Sequence, residues 1–248
     1  MTIITVLTGT TRGLGAAMAE QLAAQGGHLV TLSRKKDPAI AALSASHGTT
    51  LTQLEVDLSA SQAVKDTASS LIPLLKAHSH VRFIHNAGVV KPISQVQNLT
   101  DLNSINDAFH VNITSAIFLT ALILGNTPQA IDRRVMLISS GAGRNASSGW
   151  AVYCATKAAM DRFAEAAQLD QAGLARIVSM APGIIDTPMQ ETIRATSKED
   201  LPSLERFIGF KEAKQLANPS SVAQRLLAVL ESEAFGSKII DDIRQHNA

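Results

Sequence analysis

Residues Ile3 to Gln25 read IITVLTGTTRGLGAAMAEQLAAQ, and this stretch decides the fold. Ile3 to Leu7 is a short apolar, β-branched run, suited to a strand buried on both faces. It stops at Thr8-Gly9-Thr10-Thr11-Arg12-Gly13-Leu14-Gly15, and Ala16 to Gln25 then turns alanine-rich and helix-forming. Strand, glycine-rich turn and helix, in that order, give the glycines a chemical use. They let the backbone approach a pyrophosphate, and the helix N-terminus presents free N–H groups to it. The spacing is G-x-x-x-G-x-G, not the more familiar G-x-G-x-x-G. An ordinary tight turn would also fit these residues, so the neighbouring segments must decide.

Working outward, strands and helices alternate. Gly26-Gly27 ends the first helix, His28 to Leu32 reads as a second strand, and Asp37-Pro38 opens a helix to about His47. Thr50 to Val56 is a third strand ending at Asp57-Leu58, and Ser61 to His78 is a helix that Pro73 should bend or interrupt. Val81 to Ile84 ends in His85-Asn86-Ala87-Gly88, small residues that let the chain pass close to a bound cofactor. Asp101 to Gly125 is a long helix with Asn112, a mediocre helix former, in its middle. A fifth strand ends at Ile138, the helix of Tyr153 runs to about Leu169, and Arg176 to Met180 ends in Ala181-Pro182-Gly183. Ile185 to Leu216 is polar and proline-punctuated, an insertion of loop and short helix placed to close over a substrate. Pro219 to Glu231 is a last helix and Lys238 to Ile240 a short last strand.

This order predicts one α/β domain over residues 1–248, a doubly wound parallel sheet with helices on both faces. Ligands of such sheets bind at the carboxyl ends of the strands, where Gly9, Arg34, Asp57, Asn86, Ser140 and Pro182 all fall. After the second strand no acid stands before Asp37, while Arg34 occupies the position that contacts the adenosine ribose, with Arg12 as a second clamp. A guanidinium there suits the 2′-phosphate of NADP and disfavours NAD.

The chemistry centres on Arg134 to Lys157. Here an apolar strand stops at Ser139-Ser140, a loop of Gly, Ala and Ser follows, and Tyr153 precedes Lys157 by four residues. Residues four apart share a helix face, and an ammonium beside a phenol should lower the phenol's pKa and suit it to general acid work. A serine hydroxyl at the strand end can bond the oxygen that receives the proton. With a hydride donor, the set reduces a carbonyl. Alone, Tyr-x-x-x-Lys is a weak signal; its placement at a strand end of this fold strengthens it.

Composition excludes other classes. The chain has 248 residues, 46% hydrophobic, with a formal net charge of +1, so it carries no basic field for nucleic acid. Ala116 to Leu124, interrupted by Thr120, looks too short to span a bilayer, and the N-terminus shows no leader pattern; a soluble cytoplasmic protein is expected. The single cysteine, Cys154, reads as a small buried thiol, and His78 and His80 as a solvated helix end, so no metal is expected.

These motifs resemble the short-chain dehydrogenase/reductase family across essentially the whole chain: Thr8-Gly9-x-x-x-Gly13-Leu14-Gly15, Asp57, Asn86-Ala87-Gly88, Asn112, Ser140, Tyr153-x-x-x-Lys157 and Pro182-Gly183. Ser140, thirteen residues before Tyr153, is preferred to Ser139 on the family's spacing. The resemblance implies a Rossmann-type sheet of order 3-2-1-4-5-6-7 and a nicotinamide cofactor. It implies that Tyr153 donates the proton, Lys157 lowers its pKa and holds the ribose, Ser140 orients the carbonyl, and Asn112 holds a water linking Lys157 to solvent. The cofactor would lie on Thr8, Gly9, Thr11, Arg12, Gly13, Leu14 and Gly15, with Asp57 and Leu58 flanking adenine. Asn86, Ala87, Gly88, Pro182, Gly183 and Ile185 would line it, and Thr187 would bond the carboxamide. One departure is His85, where many members have asparagine; little effect is expected, since Asn-Ala-Gly follows intact.

Within the family, Gly149-Trp150-Ala151-x-Tyr153-Cys154-Ala155-x-Lys157 and Ala181-Pro182-Gly183-x-x-Asp186-Thr187-x-Met189-Gln190 look like the sepiapterin reductases and the benzil-type diketone reductases. That likeness implies NADPH, a vicinal dicarbonyl substrate against Ser140, Tyr153, Gly183 and Met189, and Asp242 as a substrate anchor. It also implies a homodimer or homotetramer through the Asp101–Gly125 helix and the helix of Tyr153. Two alternatives remain: an alcohol dehydrogenase or ketoreductase on another substrate, and a non-catalytic NADPH sensor. The complete Asn112, Ser140, Tyr153 and Lys157 set disfavours the sensor.

Overall fold

The computed structural model describes residues 3–127 and 132–246. Among these the sheet has seven parallel strands in the order β3-β2-β1-β4-β5-β6-β7. The strands are β1 (Ile3–Thr8), β2 (His28–Ser33), β3 (Thr50–Glu55), β4 (His80–His85), β5 (Asp132–Ile138), β6 (Arg176–Ala181) and β7 (Ile240–Asp242). Consecutive strands run outward on one side of β1 and then restart at β4 on the other. The two crossovers therefore diverge at β1 and β4 and leave a crevice at their carboxyl ends.

Helices cover both faces. In β1, Leu7 joins one apolar cluster with α1 (Gly13–Ala23), α2 (Pro38–Ser46) and α9 (Pro219–Glu231). Ile4 and Val6 join the other with α3 (Ser61–Lys76), α5 (Ser115–Gly125) and α6 (Ala151–Asp170). This two-sided burial explains why the inner strands carry apolar residues on both faces. Each fully buried leucine or phenylalanine contributes about 1.5–3 kcal/mol.

Three expectations need correction. Helix α3 continues through Pro73, which lies on its exposed face; the carbonyl freed by the missing N–H is on the solvent side. The last strand lies at Ile240–Asp242, not Lys238 to Ile240; Asp241 and Asp242 conceal it in the sequence, yet they pair with Met180 and Ala181. The long helix is two helices, α4 (Leu102–Phe109) and α5, joined by a π-turn at His110–Thr114 that contains Asn112. Counted as one, Leu102–Gly125 is long and apolar enough to cross a membrane by length and composition. Its Ile113, Ala116, Leu119 and Ile123 pack into the sheet cluster, which makes it a core helix.

The 185–216 insertion contains α7 (Pro188–Arg194) and α8 (Leu204–Glu212). They join Trp150 and Tyr153 in a third apolar cluster.

Candidate active site

A cavity of about 950 Å³ follows the carboxyl ends of the strands, from Arg34 and Asp57 at one end to Phe207 and Phe210 at the other. Its floor is the glycine loop. Gly9 and Gly13 hold φ of +72° and +58°, where side chains are strained. A Cβ at Gly15 would lie 2.0 Å from the Gly9 carbonyl oxygen and 2.4 Å from Asn86 Nδ2. The loop is thus packed so closely on itself and on Asn86 that only glycine fits, and it brings the start of α1 to the cavity, the cradle a pyrophosphate needs. Thr11, Arg12, Leu14 and Leu58 line the same end. Asp57 is held below the usual carboxylate range, first by the Ser59 N–H and hydroxyl and then, against burial, by Arg34. This end fits a dinucleotide, with glycine amides at the start of α1 and two exposed guanidinium groups.

Thr8 does not reach the cavity. It is fully buried, and its Oγ1 accepts from the N–H groups of Asn86 and Ala87, both at 3.0 Å. With both lone pairs used, the hydroxyl proton goes to His85 Nδ1 at 3.3 Å. His85 Nε2 therefore carries the hydrogen and donates to the Val111 carbonyl at 3.1 Å, inside the π-turn. Burial first, then the charge of Lys157, push the His85 pKa down to about 3, so the ring is neutral. The expectation that His85 affects little is corrected: it links β1, β4 and the π-turn.

Asn112 also stands behind the cavity wall. Its amide nitrogen donates to the Val89 carbonyl at 2.8 Å and Thr156 Oγ1 at 3.0 Å, while its oxygen accepts from Val89 N–H at 2.8 Å. Both amide hydrogens are spent on protein, so the side chain fixes the Val89 segment against α6.

Tyr153, Lys157 and Ser140 do converge on the cavity. The Lys157 ammonium donates to the Ile138 carbonyl at 2.7 Å and lies 5.8 Å from the Tyr153 ring centroid. The phenol pKa nevertheless moves opposite to the expectation. Burial pushes it up to about 12, against the Ser140 hydroxyl, which lowers it. Burial likewise pushes Lys157 down to about 8, with the Asp161 carboxylate opposing. Helical spacing correctly put the pair on one face, but dehydration sets the direction for the phenol.

Ser139 and Ser140 divide their tasks. Ser140 accepts from Ala142 N–H at 3.2 Å and faces Tyr153; Ser139 donates to Asp161 Oδ1 at 2.6 Å. Asp161 also accepts from Ser179 at 2.5 Å and from Arg144 Nε at 3.2 Å. Sequence reading missed this cluster. The one signal was spacing: Asp161 follows Lys157 by four residues, as Lys157 follows Tyr153.

At the far end, the Trp150 ring stands edge-on to Tyr153 at 5.5 Å and against Phe207 at 5.1 Å. Met189, Ile193 and Phe210 extend this apolar wall, and Pro182, Gly183, Ile185 and Thr187 line its junction with the glycine loop. Asp242 is not at the wall. Its carboxylate is buried and bonded by Arg244 at 2.6 and 2.9 Å, which holds it below the usual range. Arg244, not Asp242, lines the cavity; the anchor expectation is corrected accordingly. Cys154 is half-buried rather than buried, with only a 3.8 Å contact to the Asn145 carbonyl.

The family model of the short chain dehydrogenases matches residues 3–198. The chain belongs to this family, a class of oxidoreductases. It is 33% identical over 236 residues to a benzil reductase ((S)-benzoin forming) of Bacillus cereus, covering 93% of this chain and 94% of that one. It is 32% identical over 248 residues to the sepiapterin reductase of Rattus norvegicus, covering 94% and 93%. A solved short-chain dehydrogenase/reductase from Burkholderia vietnamiensis is 33% identical, with a TM-score of 0.68 over 99% of this chain and 98% of that one.

Proposed function

We propose that this protein is an NADPH-dependent carbonyl reductase of small ketones, foremost vicinal dicarbonyls. The observation that carries this reading is the convergence of Tyr153, Ser140 and Lys157 on the cavity that also holds the glycine loop and Arg34. The similarity to a benzil reductase and a sepiapterin reductase supports the substrate class, benzil being a vicinal diketone.

Gly9 to Gly15, Arg12, Arg34, Asp57 and Asn86 to Gly88 would hold the cofactor, and a reduced nicotinamide supplies the hydride. Ser140 orients the substrate carbonyl. Tyr153 gives its proton to the carbonyl oxygen as charge develops there. A phenol with a pKa near 12 is fully protonated at neutral pH, so the donor is loaded. The Lys157 charge acts on the phenolate left behind, stabilising the product of proton transfer instead of the resting state. Trp150, Phe207 and Phe210 exclude water from the transfer.

The exposed apolar residues Leu102, Phe109 and Ile117 on α4 and α5, and Leu169 on α6, suit pairing with a second copy as a homodimer or homotetramer. We place the protein in the cytoplasm, on its single cysteine and apolar-core composition.

The test is absorbance-monitored NADPH consumption with benzil, sepiapterin, diacetyl-type diketones and simple ketones, with NADH in parallel. Turnover of dicarbonyls with NADPH preferred is expected; turnover confined to NADH would refute the cofactor assignment. Arg34→Ala should weaken NADPH by about tenfold or more and leave NADH nearly unchanged.

A further inference from the structure

Arg244 takes no part in the scheme above, yet it lines the cavity. It follows β7 in a single 3₁₀ turn, Ile243–Gln245, which Asp242 caps by accepting from the Arg244 N–H at 3.0 Å. The Arg244 side chain then returns to the same carboxylate. Its Nε donates to Asp242 Oδ1 at 2.9 Å and its Nη2 to Oδ2 at 2.6 Å. The stem crosses the chain just past β6, where a Cβ at Gly183 would lie 3.7 Å from Arg244 Cγ and Cδ.

Two observations separate this residue from a simple cap. Asp242 is buried, its side chain 8% exposed, whereas the pinned Arg244 side chain is 65% exposed. The pair also uses only the Nε–Nη2 edge of the guanidinium. Nη1 has no protein partner among the described residues, nor does the second hydrogen of Nη2. A guanidinium holds five N–H donors in one rigid plane, so the Nη1–Nη2 edge is a second two-donor fork whose direction is already fixed. Such a fork matches the two oxygens of a carboxylate. The wall around it agrees in charge. Among the described residues between 182 and 210, no aspartate or glutamate lines the cavity, while Arg206 does. The Arg206 guanidinium lies 5.3 Å from the Phe210 ring centroid, and the adjacent Glu205 pairs with Lys198 instead, at 3.6 Å. The Asp242–Arg244 pair is neutral as a whole, so Arg206 leaves this wall positive and attractive to an anion.

We propose that Arg244 is a substrate-binding residue and that the carbonyl substrate carries a carboxylate, taken on the Nη1–Nη2 edge while Asp242 holds the guanidinium in place. This rests on the reductase reading and narrows it, from vicinal dicarbonyls at large to those with an acid group, 2-oxo acids among them. The carboxylate itself does not react; the hydride and the Tyr153 proton go to the ketone as before.

The test measures kcat/KM with NADPH for two acid–ester pairs, phenylglyoxylate and 4-carboxybenzil, each against its methyl ester. The pairs differ in the distance from ketone to carboxylate. Arg244→Met should lower the acid-to-ester ratio by about tenfold to a hundredfold in at least one pair, the span of a lost charged hydrogen bond. Arg244→Lys keeps the charge without the fork and should lower the ratio less. A ratio unmoved in both pairs overturns the proposal. So does a loss confined to NADPH affinity, which would assign the guanidinium to the cofactor. Should Arg244→Met fail to fold with Asp242 left buried and unpaired, the Asp242→Asn/Arg244→Met double variant decides by the same ratio. Binding is read in parallel without turnover. Trp150 is the one tryptophan of the chain and lines the cavity, so its fluorescence is titrated with benzoate and with neutral benzamide. Benzoate should bind wild type at least about tenfold more tightly than Arg244→Met, and benzamide should not distinguish them. Benzoate binding that depends on Arg244, in protein that reduces none of these carbonyls, overturns the reductase reading and leaves the carboxylate site standing.

Discussion

The two ends of the sheet treat buried charge in different ways. At the amino ends, Asp132 on β5 meets Arg82 and Arg134 at 2.9 Å and Arg176 at 2.7 Å, while Glu231 meets Arg82 at 2.7 Å. Burial works to raise the Asp132 pKa, but Arg176, Arg82 and Arg134 together hold it below the ordinary range. At the carboxyl ends, Lys157 rests on a backbone carbonyl and is pushed down to about 8, and Tyr153 is pushed up to about 12. One end neutralises its charges and fastens three strands to α9. The other leaves groups displaced from their ordinary values beside a cavity, as proton transfer requires.

That contrast can be broken one residue at a time. Gly15→Ala forces a Cβ into the Gly9 carbonyl and should cost about 3 kcal/mol in thermal unfolding, with NADPH binding lost. Lys157→Met should lower kcat about a hundredfold yet raise stability by about 1 kcal/mol at pH 7, since it removes a dehydrated charge. Asp132→Asn should do the reverse, costing about 2 kcal/mol by denaturant titration while leaving kcat unchanged. Its sign in pH follows. A depressed carboxylate pKa contributes stability above about pH 4 that is lost as pH falls further, so the acid unfolding limb of the variant should be shallower. Smallest is the wild-type alkaline limb. Lys157 loses its charge as pH rises through about 8, and kcat/KM should fall severalfold between pH 8 and 9.

Local motifs carried most of the site into view from sequence. The glycine loop and Asn86-Ala87-Gly88 sit at strand ends, and Tyr153 and Lys157 on the first turns of the helix after β5, where a short pattern predicts a place. What stayed hidden depends on long-range pairing. His85 reaches Thr8 across 77 positions and Val111 across 26, and nothing local marks that link. Asp161 collects donors from two strands and a loop. Asp242 is the local exception: Arg244, two residues on, takes its carboxylate away from the cavity. In the π-turn at Asn112 the Val111 carbonyl meets His85 from β4 and Ser115 Oγ at 3.0 Å.

The most direct measurement compares wild type with Tyr153→Phe for NADPH-dependent reduction of benzil, with NADPH affinity read by fluorescence in both. The account predicts that the variant binds NADPH as wild type does and reduces benzil at least about a hundredfold more slowly. A variant that binds NADPH and retains wild-type turnover would contradict the assignment of the proton donor, and with it the account of this site.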